Sequence, residues 1–487
     1  MLKPGLRLTA IVVLAGVGAA RFAGPPRVTV DTGTLEGLDT AGVMVFRGIP
    51  YAEPPVGNLR WRPPQPAAHW SGVRDASKLG HNCMQHQPYD DIDPFKAGVS
   101  EDCLYLNVWT KSLPLPASRV PLPVLVWIHG GGFWAGFGGE ERHNGGRLAK
   151  KGTVVVTLNY RLGAFGFLAH PAFAAESPEH AAGNYGLLDQ IAALQWVKRN
   201  IARFGGDTSR VTIFGESAGA TSVGSLIASP LAKGLFQRAI LESGTGAGTG
   251  LGTHITSGET GKTTAMRLAD SLHVRGVDAE AAKRLRAANA DTVLRASLHL
   301  GSPGGSVFRP TVDGRVLPHA IDSALMLGAA NIVPVIVGTN RDEGDKWMGA
   351  PTRSFARLMS AHGAPVYLYI FSRVGDDSVN RKRGAYHSAE ITFVFGRHHP
   401  ILASAGSTAY DSTVAEAMSD YWVAFATSGD PNGPPTPGKW PRWPRYQSST
   451  DALLEIGPEI AARTMVKRAV YDSLDAAARA RGGLRPR

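Results

Sequence analysis

One serine in the chain has the sequence setting of a catalytic nucleophile. The pattern G-x-S-x-G occurs once, as GESAG at residues 215–219, and its serine is Ser217. An apolar run of strand length ends at Phe214, and a plausible helix follows at residues 220–228. At a tight strand-to-helix turn the two glycines leave room for neighbouring backbone, and the serine hydroxyl projects above the sheet. Among 58 glycines the pattern could arise by chance, so its strand-to-helix context supports Ser217 as the nucleophile of an acyl transfer.

A second glycine-rich segment could stabilise the negative charge that such a reaction creates. Residues 129–133 read HGGGF and follow an apolar run that ends at Ile128. Consecutive glycines allow backbone N–H groups to approach a substrate oxygen closely. We predict that the N–H groups of Gly131 and Gly132, together with that of Ala218 at a helix N-terminus, form an oxyanion hole. The alternative is a plain flexible turn, but the position after a central strand, upstream of the serine, favours the oxyanion role.

A serine nucleophile needs a base, and the base needs an acid that orients it. An acidic segment, GTNRDEG at residues 338–344, follows the apolar run that ends at Val337. Catalytic groups of open parallel sheets lie just beyond the carboxyl ends of the strands, so an acid is well placed here. On position alone, Glu343, Asp342 and Asp345 are equal candidates.

The candidate base is the first histidine after the next apolar run. That run ends at Phe371, and the first histidine reached is His387. His398 and His399 lie further along, beyond the apolar residues 391–395. Spacing favours His387, although an isolated histidine is more often structural or solvated.

The elements that would position these residues alternate between strands and helices. Continuous apolar runs of strand length lie at residues 124–128, 154–158, 211–214, 332–337 and 366–371. Such runs are typical of strands that are buried on both faces of a parallel sheet. Apolar residues recur at helical spacing from Leu187 to Ile201, between the second and third runs. We therefore expect an α/β fold, with a mostly parallel central sheet flanked by helices on both faces.

Several longer motifs resemble those of the type B carboxylesterases, the family that includes the cholinesterases. The resemblance extends from about Val28 to about Tyr446. It rests on FRGIPYA at 46–52, PPVG at 54–57, SEDCLYLN at 100–107, NYGLLDQ at 184–190, FGGD at 204–207 and SGDPN at 428–432. It implies that residues 21–487 form a single α/β-hydrolase domain that hydrolyses small-molecule carboxylic esters.

The resemblance also assigns the catalytic roles residue by residue. The family's nucleophile falls on Ser217 and its histidine on His387. Its acid falls on Glu343, which distinguishes this residue from the two neighbouring aspartates. Such a triad acts through an acyl-enzyme intermediate and needs no metal or organic cofactor.

The only two cysteines of the chain are expected to form a disulfide. In an exported protein an even number permits one, and Cys83 and Cys103 would close a short loop. The resemblance places the family's first disulfide on the same pair. It also implies a structural ion pair between Arg47 and Glu101. With no histidine spaced nearby, the cysteines do not predict a zinc site.

Two departures from the family pattern bear on the substrate. Only 44 positions separate Glu343 from His387, where family members usually carry a longer helical stretch. The acyl pocket is therefore expected to differ in shape. No tryptophan lies between the two cysteines, where the cholinesterases have their cation-binding one, and the aromatic residues there are Tyr89 and Phe95. Specificity for choline esters is not expected.

The amino-terminal residues are typical of a secretory signal peptide, which we assign to residues 1–20. Lys3 and Arg7 precede an apolar run at residues 8–17, and small residues follow at 18–20. The run is shorter than the ~20 apolar residues that span a bilayer. We therefore expect a secreted or periplasmic protein without stable membrane insertion.

The distribution of charge and the absence of a recognisable lid sequence bear on three alternatives: a nucleic-acid-binding protein, a lipase and a non-catalytic recognition protein. The net charge is +11, but the basic residues are scattered and form no stripe with interleaved aromatics, so we expect no nucleic-acid partner. A lipase that acts on lipid esters would need an apolar, amphipathic lid, and no such segment stands out. A non-catalytic recognition protein of the same fold is disfavoured by the intact serine, glutamate and histidine.

Overall fold

The computed structural model describes most of the chain after the amino-terminal segment. The described residues are 24–86, 95, 97–111, 113, 120–247, 255–301, 307–376, 378–396, 408–465 and 467–480. The signal peptide assigned to residues 1–20 lies outside them, as do His398 and His399.

Sixteen strands are present among the described residues, and eleven of them form one sheet. In chain order they are β1 Arg27–Val30, β2 Gly33–Glu36, β3 Leu38–Thr40, β4 Val43–Pro50, β5 Val73–Asp75, β6 Asn82–Cys83, β7 Val99–Ser100, β8 Tyr105–Thr110, β9 Leu122–Ile128, β10 Val154–Leu158, β11 Gly206–Glu216, β12 Arg238–Glu242, β13 Val335–Asn340, β14 Val366–Phe371, β15 Ala452–Ile456 and β16 Ile460–Thr464. The large sheet has the order β16-β15-β14-β13-β12-β11-β9-β10-β8-β4-β3. Strands β9 to β15 run parallel to one another, and antiparallel strands complete both edges.

Helices connect most of the parallel strands. They are α1 Gly146–Lys150, α2 Gly163–Phe167, α3 Pro171–Glu176, α4 Tyr185–Asn200, α5 Ala218–Ala228, α6 Gly258–Ser271, α7 Ala279–Ala287, α8 Ala290–His299, α9 Ile321–Met326, α10 Ala350–Ala361, α11 Ser378–Arg383, α12 Ile391–Val394, α13 Ala409–Ser428 and α14 Arg468–Ala480. A π-helical turn, Asp345–Gly349, precedes α10. Within the described ranges, no helix is both long and apolar enough to cross a membrane.

The central strands bury side chains on both faces, as their apolar runs predict. In β9, Val124, Val126 and Ile128 belong to one apolar cluster, which includes α4 and α5. The alternate residues Leu125 and Trp127 belong to a second cluster, which includes α1, α12 and α13. Since successive side chains of a strand point to opposite faces, helices cover the sheet on both sides. The expected α/β architecture is confirmed.

Two strands differ from the sequence prediction for identifiable reasons. The run predicted to begin at Ile332 forms a strand only from Val335, because Pro334 has no N–H to donate to a sheet. Strand β12 was not predicted, since Arg238–Glu242 has only three apolar residues between two charged ones.

The covalent link predicted near the amino-terminal edge is present, but the ion pair there is different. Cys83 and Cys103 form a disulfide. The expected pairing of Arg47 with Glu101 is wrong, because the partner of Glu101 is Arg60, whose Nε lies 2.6 Å from Oε1. Arg60 follows a short turn after PPVG and reaches the carboxylate from there, whereas Arg47 lies within β4.

Candidate active site

Ser217 lies on a sharp turn between the end of β11 and the start of α5. Its backbone has φ 56° and ψ −119°, a conformation that L-residues adopt only under strain. The flanking glycines leave no space for a side chain. A Cβ on Gly219 would lie 2.0 Å from the carbonyl oxygen of Ile128, and one on Gly215 would lie 2.6 Å from the same atom. The turn therefore requires the glycines that the GESAG pattern supplies.

The structure brings Ser217 together with His387 and Glu343. Nε2 of His387 lies 2.9 Å from Oγ of Ser217, and Nδ1 lies 2.5 Å from Oε2 of Glu343. His387 lies between α11 and α12, and Glu343 lies just after β13. The side chain of His387 is 40% exposed, whereas that of Glu343 is 3% exposed. The imidazole thus has one nitrogen on a buried carboxylate and the other on the serine hydroxyl.

The second oxygen of Glu343 is held by three donors. Oε1 accepts hydrogen bonds from Oγ of Ser243 at 2.7 Å, Oγ1 of Thr339 at 2.6 Å and the backbone N–H of Asn340 at 2.5 Å. Burial alone would raise the pKa of Glu343, but the bond from His387 and these donors lower it below its usual value. The carboxylate is therefore ionised and held in one orientation.

The two aspartates beside Glu343 have different partners. Asp342 pairs with Arg341 near the surface, and its Oδ2 also accepts the N–H of Ala385. Asp345 accepts hydrogen bonds from Lys467 and Tyr471 on the carboxy-terminal segment. Within the described structure, Glu343 is the acid of this segment that contacts His387.

The glycine segment after β9 passes directly beside the serine. A Cβ on Gly130 would lie 3.3 Å from Cβ of Ser217. Gly131 and Gly132 have φ values of 97° and 64°, in the region that favours glycine. Their N–H groups donate to no acceptor among the described residues, and Ala218 is the first residue of α5, whose N–H has no partner within the helix. The three N–H groups predicted as oxyanion donors therefore lie in segments next to Ser217.

Sequence analysis missed three buried glutamates beneath the site. Oε1 of Glu216 lies 3.2 Å from Nε2 of His387. Oε1 of Glu390 lies 2.9 Å from Oγ of Ser243, and Oε2 accepts a hydrogen bond from the side-chain amide of Asn340. Glu242 accepts one from the indole of a buried tryptophan, 2.8 Å away. Glu216 precedes the serine in GESAG, and Glu390 follows His387 by three residues. This closeness in sequence to the candidate catalytic residues was the one sequence feature that could have pointed to them.

Burial and mutual repulsion prevent the three glutamates from being ionised at the same time. Burial raises the pKa of Glu216, and the positive charge of His387 opposes that shift. Burial and the charge of Glu343 raise the pKa of Glu390 to about 7. The pKa of Glu242 is raised well above its ordinary value by burial.

His387, the candidate base, responds to the same charges. Burial would lower the pKa of His387, but the facing carboxylates of Glu216 and Glu343 outweigh burial and raise it. Only a neutral imidazole can accept a proton, so this environment affects the pH range in which Nε2 is free to do so. Among the described residues, no group of three or more His, Cys, Asp or Glu side chains could hold a metal ion.

Comparison with known proteins identifies similar chains with named activities. The sequence model of the carboxylesterase family matches residues 24–350 and 344–472. The fumonisin B1 esterase of Sphingopyxis macrogoltabida is 36% identical over 493 residues, which cover 88% of this chain and 86% of that protein. The para-nitrobenzyl esterase of Bacillus subtilis (strain 168) is 34% identical over 492 residues, which cover 89% and 95%.

A solved structure agrees with these matches. The carboxylesterase EST55 of Geobacillus stearothermophilus, in a crystal structure at pH 6.2, superposes with a TM-score of 0.79 at 34% identity. The superposition covers 92% of this chain and 99% of that one.

Proposed function

The chain belongs to the carboxylesterase family and has its α/β-hydrolase fold, and from this we propose that it hydrolyses small-molecule carboxylic esters with a triad of Ser217, His387 and Glu343. The observation that carries the proposal is the position of His387, which hydrogen-bonds to Ser217 through Nε2 and to Glu343 through Nδ1. A histidine in contact with both a nucleophile and a carboxylate can remove the hydroxyl proton as the serine attacks.

In the first step, Oγ of Ser217 forms a bond with the carbonyl carbon of the ester. Its proton moves to Nε2 of His387, and the carbonyl oxygen becomes an oxyanion. The N–H groups of Gly131, Gly132 and Ala218 donate hydrogen bonds to that oxygen. One such donor typically lowers the barrier by about 3 kcal/mol, so these backbone groups supply a large part of the rate enhancement.

The tetrahedral intermediate then collapses, and the bond to the alcohol oxygen breaks. The alcohol leaves with the proton from His387, and the acyl group stays on Ser217. A water molecule attacks this acyl-enzyme while His387 again acts as the base, which releases the acid and restores the serine hydroxyl. Throughout, Glu343 keeps the imidazole oriented and stabilises its positive charge.

A fluorophosphonate probe tests the nucleophile directly. It should label the folded protein once, at Ser217, and Ser217→Ala should remove both labelling and nearly all turnover while the protein stays folded. Ser225→Ala is the matched control, because among the described residues this buried serine of α5 hydrogen-bonds to the helix backbone at Thr221 and lies outside the triad. An adduct mapped to another residue, or turnover retained by Ser217→Ala, would rule out the proposed mechanism.

We also propose that the protein is exported after removal of residues 1–20. The Cys83–Cys103 disulfide supports an oxidising compartment. Amino-terminal sequencing of protein recovered outside the cytoplasm should find a start near residue 21. Mature protein that retains Met1 would contradict the proposal.

A further inference from the structure

A cavity lies behind the segment that carries Glu343. Its volume is about 230 Å³. It is lined by the end of β13 and the residues just after it, by Ile370 of β14, by the β15–β16 hairpin and by the start of α14. Ser217, His387 and the glycines at 130–132 are not among the described residues that line it. The cavity is therefore separate from the site where the ester would react.

The interior of this cavity is apolar. Leu453, Met465 and Tyr471 line it and are themselves at most 8% exposed. About 10–15 Å³ of space of this kind is enough for one water molecule, so the cavity has room for an apolar chain of several methylene groups. An apolar cavity of this kind offers water few hydrogen-bond partners and favours an apolar chain.

The rim of the cavity carries cationic side chains. Arg341, Arg463 and Lys467 line it, and their side chains are 39–45% exposed. Asp345 and Glu455 are the two acidic residues of the lining, and Asp342 and Glu459 pair with the same cations from just outside it. Each cation already has a carboxylate partner, and exposed ion pairs of this kind are weak. A ligand carboxylate can therefore exchange with these partners at little cost.

The lining is connected to the hydrogen bonds that hold Glu343. Thr339 and Asn340 border the cavity and also donate to Oε1 of Glu343. Lys467 holds Asp345, which begins the π-helical turn two residues after Glu343. A ligand carboxylate that drew Lys467 away from Asp345 would loosen that turn. Glu343 would then be held less firmly in its orientation towards His387.

We propose that this cavity binds a medium-chain carboxylate, with its head group at Arg463 and Lys467 and its chain against Leu453 and Met465, and that occupation of the cavity lowers turnover. Ester hydrolysis produces carboxylates, so the site would respond to a class of product. The effect on turnover rests on the proposed esterase function, whereas binding does not.

Binding can be measured without interference from the catalytic serine. In calorimetric titrations of the Ser217→Ala protein, octanoate should bind, and both octan-1-ol and acetate should bind at least tenfold more weakly. Thr464→Trp, a change at an exposed residue of the rim, should block the cavity. The double variant Arg463→Gln/Lys467→Gln should weaken octanoate binding roughly tenfold. Arg199→Gln, which removes a similarly exposed, paired arginine elsewhere, should leave it unchanged.

Kinetics on protein with an intact Ser217 then test the consequence. Octanoate should lower kcat more than it raises KM, and the effect should be lost in the two cavity variants, each compared with its own rate without octanoate. Absence of octanoate binding, equal binding of octan-1-ol or acetate, binding that survives both cavity variants, or simple competition with the substrate would each overturn the proposal. If no ester is hydrolysed but octanoate binds Ser217→Ala as described, the proposed function fails while the binding site stands.

Discussion

His387 stands between two carboxylates, and this position affects when it can accept a proton. Glu343 contacts Nδ1, as a triad requires, but Glu216 approaches Nε2, the nitrogen that faces the serine. The imidazolium and the Glu216 carboxylate stabilise each other, so the two groups gain and lose protons as a coupled pair. The neutral base is consequently expected at a higher pH than for an isolated histidine.

Replacing Glu216 should therefore shift the pH profile towards acid. Glu216→Gln removes a negative charge that favours the imidazolium, so the pKa of His387 falls and the neutral base persists to lower pH. The acidic limb of kcat/KM should move down by about one pH unit or more. Glu179→Gln, at a more exposed acid paired with Arg315, should leave the limb in place. An unmoved limb, or a shift to higher pH, would contradict this account.

The identity of the acid can be tested by a matched pair of substitutions. Glu343→Gln leaves the carbonyl acceptor but removes the charge that stabilises the imidazolium, so kcat should fall by orders of magnitude, up to ~10⁴. Asp342→Asn should retain most activity, because Asp342 pairs with Arg341 near the surface. Both variants should unfold near the temperature of the parent protein. A larger loss for Asp342→Asn would reverse the assignment.

A sequence motif predicted a site residue where the role of that residue depends on the conformation of the backbone around it. The GESAG turn singled out Ser217 because only a tight strand-to-helix turn requires glycine on both sides. Position left Glu343 equal to its neighbouring aspartates, and family resemblance selected it. Glu216 and Glu390 were missed, because burial and the approach of residues from distant strands leave no local pattern.

At the scale of elements, burial explains which strands the sequence revealed. The central strands are buried on both faces, so their sequences are nearly all apolar and stand out. Strand β12 is just as central but ends in Glu242, which is buried beneath the site. A buried glutamate stands where the apolar pattern would have continued, and the pattern failed there.

The disulfide ties together two segments at the amino-terminal edge, and removing it should lower stability measurably. Cys83 and Cys103 close a loop with a sequence separation of 20 residues. Loss of that constraint on the unfolded chain predicts a decrease of about 3 kcal/mol in the free energy of unfolding for Cys83→Ser/Cys103→Ser. Urea denaturation of the two proteins measures the difference. Lys78→Gln, at an exposed residue just before the loop, serves as the control and should leave the midpoint unchanged. An unaltered midpoint in the double serine variant would show that the loop is held by other contacts.

At the scale of the whole molecule, the short connection between Glu343 and His387 bears on substrate range. It spans 44 positions, and its described elements are the π-helical turn, α10, β14 and α11. With fewer residues to wall the approach to the serine, we expect a wide cleft that leaves much of an acyl chain in contact with water. The alternative is closure by the loop near residues 244–252, of which residues 248–252 lie outside the described structure.

A series of straight-chain acyl esters of one alcohol separates these possibilities. Full burial of a methylene contributes ~0.8 kcal/mol, which is about a fourfold change in kcat/KM for each added carbon. In a wide cleft the dependence should be clearly shallower, and KM for short esters should be high. A sharp optimum at one chain length, with a steep loss on either side, would show that the pocket is closed.

The contacts that assemble the site join parts of the chain that are synthesised far apart in time. The bond from His387 to Ser217 spans 170 positions, and Lys467 reaches back 122 positions to Asp345. Contacts between distant positions form slowly, because the intervening chain must first lose its freedom. On the proposed mechanism, a nascent chain on the ribosome cannot hydrolyse esters until His387 has emerged and reached Ser217. Recovery of esterase activity after denaturant is diluted should likewise lag behind the return of helical signal, which makes activity a marker of completed folding.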